Sequence, residues 1–207
     1  MAHAAAVHED VMLPPPSRAP GAGVYSEKLG MWIFLGSEVM FFTALIGTYV
    51  ILRFAHPDAW AGHPKPNTPL NIPVTAVNTF LLICSSVTMV KAFAAAQDGL
   101  QRQLRMWLLA TVLIGATFVG VQVYEYTHLI EKGFVPSKDL FGSTFYTMTG
   151  FHGFHVTMGV LCMIYVTMKA FRGKYTQADH RGVEVIGLYW HFVDLVWIIL
   201  FTIVYLI

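Results

Sequence analysis

The first long apolar stretch of the chain decides its fold class. Residues 29–54 read LGMWIFLGSEVMFFTALIGTYVILRF, and Glu38 and Arg53 are the only charged side chains among them. About 20 consecutive apolar residues in a helix suffice to cross a hydrocarbon core of about 30 Å. The stretch therefore predicts a membrane-spanning helix.

Four further segments have the same character. Together with the first they give five predicted spans, at 29–54, 72–96, 104–129, 141–171 and 183–207, each flanked by turn or charge signals. We therefore predict an all-α polytopic membrane protein with a five-helix domain at 29–207. Residues 1–28, rich in Ala, Pro and His and without a signal-peptide pattern, are expected to form a disordered or extended tail.

Composition supports a membrane protein and excludes some partners. Of 207 residues, 56% are hydrophobic and 12% are charged, about half the charged fraction of an average soluble domain. The net charge of +1 offers no basic field, so we expect no nucleic-acid partner. Cys84 and Cys162 lie inside apolar runs without a second ligand at metal-binding spacing, and both are expected to be small buried hydrophobic residues.

The distribution of cations predicts the orientation. Short cytoplasmic loops retain Lys and Arg. With five spans, nine of the 13 cations fall on the side of the tail: Arg18, Lys28, Lys91, Arg102, Arg105, Lys169, Arg172, Lys174 and Arg181. The other side holds Arg53, Lys65, Lys132 and Lys138. The amino terminus is therefore expected to be cytoplasmic and the carboxyl terminus outside.

Ionisable residues inside the spans are the candidate functional groups, because each is costly in hydrocarbon unless it is paired. They are Glu38, Glu125, His128, His152, His155, Glu184, His191 and Asp194. Glu38 has no charged neighbour within a helical turn, so its partner must come from another helix. Burial favours its protonated form, which can donate a hydrogen bond. Both a proton-linked carboxyl and a neutral acid that joins two helices fit the pattern. The spacing of Gly30, Ser37 and Ala44 adds a small-residue seam where another helix can approach.

The other ionisable residues fall into three groups. Gln122, Glu125 and His128 recur every three residues, which predicts a satisfied polar cluster beneath the outer loops. His152 and His155 share one face of the fourth span, but two imidazoles are a weak metal signal; His155 and His191 as haem ligands remain a minor alternative. Glu184, His191 and Asp194 follow one stripe of the last span, so His191 and Asp194 can pair as an internal polar lock.

Three segments resemble one protein family. Residues 30–42, which hold Glu38, are similar to the segment that carries a carbodiimide-reactive glutamate in subunit III of the haem-copper terminal oxidases. Residues 124–126 with 142–159, and Glu184 with 189–197, resemble two further blocks of that subunit, in the same order. The resemblance runs from about Leu29 to the end and fits the five-helix form found in many bacterial oxidases.

The resemblance implies an accessory subunit of a proton-pumping oxygen reductase in the bacterial cytoplasmic membrane. Haem and copper would be held by partner subunits and none by this chain, which would pack directly against subunit I and join subunit II. Phospholipid would occupy a cleft, with Arg172, Lys174 and Arg181 facing the headgroups. Glu38 would lie close to His155 and support proton uptake and the stability of subunit I.

Several alternatives stay open. Cytochrome c is the favoured electron donor, and subunit III of a ubiquinol oxidase is the alternative; a relative associated with nitric oxide reductases is a further one. The buried acids Glu38, Glu125 and Asp194 would also suit an independent proton-coupled carrier. A structural lipid-binding scaffold is the last possibility.

Overall fold

Long helices make up most of the protein. The computed structural model describes residues 24–60, 72–137 and 139–206, and this part of the chain contains no β-strand. Its long helices are α1 (Ser26–Ala55), α2 (Ile72–Gln97), α3 (Gln101–Glu131), α4 (Leu140–Phe171) and α5 (Arg181–Phe201). A one-turn helix, Pro57–Trp60, follows α1, and a π-helical turn, Thr202–Leu206, continues α5.

The predicted five-span, all-α architecture is confirmed. Within the described residues, five helices are long and apolar enough to cross a membrane. When the π-helical turn is counted with α5, the helix boundaries differ from the prediction by at most three residues. The largest differences are at the starts of α1, at Ser26 and not Leu29, and of α3, at Gln101 and not Leu104. Residues 26–28, which we assigned to the tail, therefore form the first turn of α1. The rest of the predicted tail, at 1–23, lies outside the described residues.

Glycines end three of the helices in the same way. Gly99, Gly133 and Gly173 have φ values of 71°, 75° and 69°, a backbone conformation that only glycine adopts without strain. After α2, the N–H of Leu100 bonds to the carbonyl of Ala95 at 2.9 Å, and equivalent bonds close α3 and α4. These glycines end the helices and let the chain turn away from the helix axis.

Helix α5 lies at the centre of the bundle and packs against α1, α2 and α4. Its Trp190 and Trp197 are fully buried. Their indole N–H groups donate to Ser85 Oγ at 2.9 Å and to Thr79 Oγ1 at 2.8 Å, both on α2. Because a buried indole needs a hydrogen-bond acceptor, these contacts fix the rotation of α5 against α2.

One end of the bundle, which we call the basic end, collects the start of α1, the α2–α3 turn and the α4–α5 connection. Gln101 Nε2 donates to the carbonyl of Tyr175 at 2.7 Å, and Arg105 Nε donates to the carbonyl of Ala170 at 3.0 Å. These contacts across the connections hold together the segments with most of the described cations.

Helix α1 is the peripheral element. It packs against α5 and α4, and its buried residues are Phe42 and Tyr49. Near its far end, Tyr49 contacts Trp60, whose ring meets Phe141 of α4 at 6.2 Å between centroids. Its outward face is apolar, and Met40 is 77% exposed. This face must meet lipid or another protein.

Substitution of Gly115, on α3, tests how closely the helices of the bundle are packed. A Cβ there would lie 2.7 Å from Cη2 of Trp190. Because that ring is buried and rigid, Gly115→Ala should lower the free energy of unfolding in detergent by about 1–3 kcal/mol. Gly120→Ala is the control on the same helix, since a Cβ there meets nothing within 4 Å. Equal stability of the two variants would contradict the packing described.

Candidate functional site

The bundle brings one acid and one imidazole together between α1 and α4. Oε2 of Glu38 lies 3.0 Å from Nε2 of His155, so the predicted contact between these two residues is present. The other ring nitrogen, Nδ1, lies 2.7 Å from the backbone carbonyl of Phe151, one turn earlier on α4. A carbonyl oxygen can only accept a hydrogen bond, so Nδ1 carries a hydrogen.

This geometry fixes the number of protons in the contact. With Nδ1 protonated, Nε2 of a neutral imidazole is an acceptor, and Glu38 must then be the protonated donor. In the alternative form His155 is an imidazolium that donates to the Glu38 carboxylate. In both forms a single proton lies between Oε2 and Nε2, so the two residues form a proton-sharing pair.

Apolar and aromatic side chains surround the pair. The side chains of His155 and Glu38 are 12% and 17% exposed. Phe42 meets the imidazole edge-on at 5.2 Å between ring centroids, and Phe154 does so at 5.8 Å. The hydroxyl of Tyr189 on α5 donates to the backbone carbonyl of His155 at 2.9 Å, which ties the pair to a third helix. Few competing polar groups and a low dielectric strengthen the contact.

The pair opens onto a groove. A cavity of about 410 Å³ is lined by three helices, through Met31, Phe34, Glu38, Phe154, His155, Met158, Cys162, Ile186 and Tyr189. A second cavity, of about 500 Å³, shares Met31, Cys162 and Ile186 with it and reaches Lys169 and Arg181. We call the two together the α1 groove. It runs from the proton-sharing pair to the basic end of the bundle.

The predicted headgroup residues take different positions. Arg181 lines the α1 groove, and Lys169, which the sequence analysis did not select, lines it as well. Arg172 and Lys174 are exposed on the α4–α5 connection, but they are not among the residues that line the groove. The groove therefore presents an apolar channel whose mouth holds two cations, Lys169 and Arg181, and two acids, Glu27 and Asp179, that pair with Arg181.

Glu184 fastens the beginning of α1 to α5. It accepts hydrogen bonds from Tyr25 Oη and Lys28 Nζ, both at 2.6 Å. Burial, together with the bond to Glu184 and its negative charge, raises the pKa of Tyr25 above its usual range. The phenol therefore stays protonated and keeps donating. Glu184 thus belongs to a contact between helices at the basic end.

The expected direct pairing of His191 with Asp194 is wrong. The hydroxyl of Ser86, on α2, donates to Asp194 Oδ2 at 2.5 Å and lies 3.1 Å from His191 Nδ1. Because the serine hydrogen is engaged by the carboxylate, His191 Nδ1 donates to the serine oxygen. The lock therefore joins α2 to α5 through Ser86, which spacing along the last helix could not predict.

The predicted satisfied cluster on the third span is present only in part, and it is not fully satisfied: in the described part of the chain, Gln122 Nε2 and Oε1 and Glu125 Oε2 have no hydrogen-bond partner. Gln122 and Glu125 are buried, and Thr75 of α2 donates to Glu125 Oε1 at 2.7 Å. His128 is half-exposed instead, and its Nδ1 lies 3.9 Å from Glu131 Oε2. The helical repeat of three residues drifts around the helix, so its last member turns towards the surface.

The two histidines of α4 have different surroundings. His155 faces α1, whereas His152 is 1% exposed in the bundle core and stacks on Trp197 at 4.7 Å between centroids. Within residues 24–60, 72–137 and 139–206, no group of three or more His, Cys, Asp or Glu side chains could hold a metal ion. Whether haem and copper belong only to partner subunits stays a prediction.

The expectation that both cysteines are buried is wrong. Cys84 is half-buried, and Cys162 is exposed and lines the α1 groove. Sequence reasoning also missed Tyr25, Ser86, Lys169 and Tyr189 as site residues. Of these, Tyr189 lies inside the family-like segment 189–197. Nothing in the sequence around Ser86 indicated that it would bond to another helix, because serine is common in membrane helices.

The architecture places the chain in a broad class. A bundle of five helices long and apolar enough to cross a membrane, with an acid and an imidazole in contact at a groove, is that of a polytopic membrane protein. A comparison with known families narrows the class. Residues 22–207 match the family model of cytochrome c oxidase subunit III. The chain belongs to this family, and it is thus a subunit III of the haem-copper oxidases.

Individual relatives support the assignment. The chain is 40% identical over 179 residues to a probable cytochrome c oxidase subunit 3 of Nocardia farcinica, a match that covers 86% of each protein. It is 40% identical, with the same coverage, to cytochrome c oxidase subunit 3 of Thermostichus vulcanus. It is also 36% identical to the cytochrome bo(3) ubiquinol oxidase subunit 3 of Pseudomonas aeruginosa, over 86% of this chain and 83% of that one.

Removal of the Ser86 hydroxyl tests the polar lock. Ser86→Ala leaves His191 Nδ1 and Asp194 Oδ2 without their shared partner, so it should lower the free energy of unfolding by about 1–3 kcal/mol. Ser37→Ala is the matched control, because Ser37 is exposed and bonds only to the Phe34 carbonyl of its own helix. A denaturation series that finds both variants as stable as the native chain would rule out the lock.

Proposed function

We propose that this chain is a non-catalytic accessory subunit of a proton-pumping haem-copper oxidase, in direct contact with subunit I. Subunits I and II would hold the haem and copper, and this chain would hold none. Membership of the subunit III family supports association with other oxidase subunits. The observation that carries the functional part is the 3.0 Å contact between Glu38 Oε2 and His155 Nε2.

The pair would support proton uptake by subunit I. A proton at this position can move between Oε2 and Nε2 over 3.0 Å with little rearrangement, because the Phe151 carbonyl and the Tyr189 hydroxyl hold His155 in place. The α1 groove connects the pair with the cations at the basic end. The pair would hold a proton and pass it to the neighbouring subunit.

The basic end would face the cytoplasm of a bacterial cell, with the chain in the cytoplasmic membrane. The excess of cations on this end supports that orientation through the positive-inside rule. Of the described cations, Lys28, Arg105, Lys169 and Arg181 lie in contacts at this end. Proton uptake for pumping would then start from the cytoplasmic side.

Subunit I would dock on the outward face of α1. The seam residues Gly30, Ser37 and Ala44 are exposed there, and a Cβ at Gly30 would meet nothing within 4 Å. Within the described part of the chain, no helix fills this seam. A helix of a neighbouring subunit could approach the seam closely, next to the proton-sharing pair on the same helix.

The electron donor would be cytochrome c. The relatives in Nocardia and Thermostichus, both named as subunits of cytochrome c oxidases, support this choice. The Pseudomonas relative keeps ubiquinol as the alternative. Subunit II decides between them, because a soluble domain with a dinuclear copper ligand set indicates cytochrome c and its absence indicates quinol.

Phospholipid would occupy the α1 groove. Its lining is mostly apolar, as acyl chains require. Lys169 and Arg181 stand at its mouth beside the acids Glu27 and Asp179, and a lipid phosphate would lie against the two cations. A bound lipid would cover the proton-sharing pair from the membrane side. It would also fill the space between α1 and the other helices.

Substitution of Glu38 tests the accessory role. Glu38→Gln keeps the side-chain shape but cannot release a proton, so in the purified complex it should slow proton uptake and shorten turnover life about tenfold, equivalent to ~1.4 kcal/mol in a barrier. Haem and copper content should not change. Glu131→Gln is the control, since this glutamate is exposed at the far end of α3.

Three outcomes would contradict this proposal. Native turnover life in Glu38→Gln would indicate a structural scaffold. Proton flux through the isolated chain in vesicles, abolished by the same substitution, would indicate an independent carrier. Loss of haem or copper in proportion to loss of this chain would show that it holds cofactor.

Lipid binding is tested by paired charge removal. Lys169→Gln with Arg181→Gln should reduce the phosphatidylglycerol retained by the complex in native mass spectrometry, because the headgroup loses both cations. The matched control is Arg172→Gln with Lys174→Gln, which removes the same charge a few residues away. Greater lipid loss from the control pair would place the headgroup on the connection and not in the groove.

A further inference from the structure

His191 lies near the middle of the last span. It comes ten residues after Arg181 and 15 before Leu206, the ends of that span. At 1.5 Å per residue of helix, these separations are about 15 Å and about 22 Å. Because the hydrocarbon core is about 30 Å thick, a side chain at this depth is out of reach of the lipid headgroups and of bulk water.

One ring nitrogen of His191 is satisfied within the chain, and the other is not. Nδ1 donates to Ser86 Oγ at 3.1 Å. A hydrogen on Nδ1 leaves Nε2 of the neutral imidazole as an acceptor. In the described part of the chain Nε2 has no hydrogen-bond partner. The buried nitrogens without a partner include both of His152 but not this one, so Nε2 is open to the surface of the bundle.

The surface around His191 is an apolar stripe of α5. Residues three or four positions apart share one face of a helix. The stripe consists of Leu188, His191, Leu195 and Ile198. Leu195 and Ile198 are 57% and 41% exposed. On one side α2 borders the stripe through Ser86, and on the other α1 borders it through the contact of Phe42 with Phe192, at 6.5 Å between ring centroids.

This α5 stripe is separate from the α1 groove, because none of its four residues lines that groove. A lipid acyl chain would suit the leucines and the isoleucine but has no N–H or O–H for Nε2. An imidazole acceptor left facing hydrocarbon is costly. A membrane helix with an apolar face and one donor side chain would satisfy the whole stripe, and such hydrogen bonds between membrane helices are common.

We infer that the α5 stripe is a contact surface for a membrane-spanning helix of another oxidase subunit, which donates a hydrogen bond to His191 Nε2 from a hydroxyl, amide or indole group. A second copy of this chain is the poorer occupant, because a twofold contact across the stripe would bring two acceptors, the two Nε2 atoms, face to face. The inference rests on the proposed association with other oxidase subunits, and on neither the proton role nor docking at α1.

Photo-cross-linking in the intact oxidase tests the surface. With p-benzoylphenylalanine in place of Leu195, irradiation should join this chain to a membrane-spanning peptide of another subunit, which mass spectrometry identifies. Leu113 is the matched control, since it is 59% exposed near the middle of α3, and the same substitution there should not give that product. Products with lipid alone or with a second copy of this chain, or equal yields from the two positions, would overturn the inference.

Removal of the acceptor tests the hydrogen bond. His191→Leu should speed the loss of this chain from the purified complex in detergent by about three- to tenfold, the effect of one hydrogen bond between membrane helices. Ser86→Ala is the control, because it breaks the same polar lock but keeps Nε2 at the surface. Its rate of loss should stay close to the native rate. Equal acceleration in both variants would assign the effect to the lock within the bundle and would rule out the hydrogen bond.

Failure of this inference is distinguishable from failure of the proposed function. A chain that does not copurify with haem-containing subunits contradicts the proposed function. A chain that copurifies while residue 195 meets only lipid contradicts the contact surface alone. The cross-linking variant keeps His191 and Ser86, so it gives a result even where His191→Leu does not assemble.

Discussion

The hydrocarbon core of a membrane offers no hydrogen-bond partner, and this constraint governs the whole structure. A polar side chain within the five spans is costly unless it bonds to another protein group. Many Ser and Thr hydroxyls bond to a carbonyl of their own helix, whereas several of the larger polar side chains reach another helix. The indoles of Trp190 and Trp197 reach α2, Ser86 joins α2 to Asp194, and Glu38 reaches His155 on α4. The same contacts that remove the cost of burial also set which faces of the helices meet.

Helix α1 shows how this constraint leads to function. It buries few residues, so its position depends on contacts at its start, middle and end. These contacts are with Glu184, His155 and Trp60, respectively. Between these contacts the helices stand apart, and the α1 groove forms. A weakly packed helix thus creates both the opening to the proton-sharing pair and a free outward face. A more tightly packed helix would bury the pair completely.

Family membership and site geometry supply different kinds of information. The match across residues 22–207 assigns the chain to subunit III, and relatives that serve cytochrome c and ubiquinol oxidases share similar identity with it. Neither result describes the contact on which the proposed proton role rests. That role rests on the Phe151 carbonyl, which accepts a hydrogen bond from His155 Nδ1, and on the 3.0 Å contact between His155 Nε2 and Glu38 Oε2.

Sequence alone determined the five spans, because the thickness of the hydrocarbon core sets the length and the apolar character that a spanning helix must have. It also indicated Glu38 as an acid in need of a distant partner and, through motif resemblance, His155 as that partner. Only the tertiary structure decided that Ser86 stands between His191 and Asp194, that Cys162 lines a groove, and that Glu184 holds the start of α1. Periodicity places residues on a face of one helix, whereas these contacts depend on how helices rotate and cross, which is set by packing over the whole bundle.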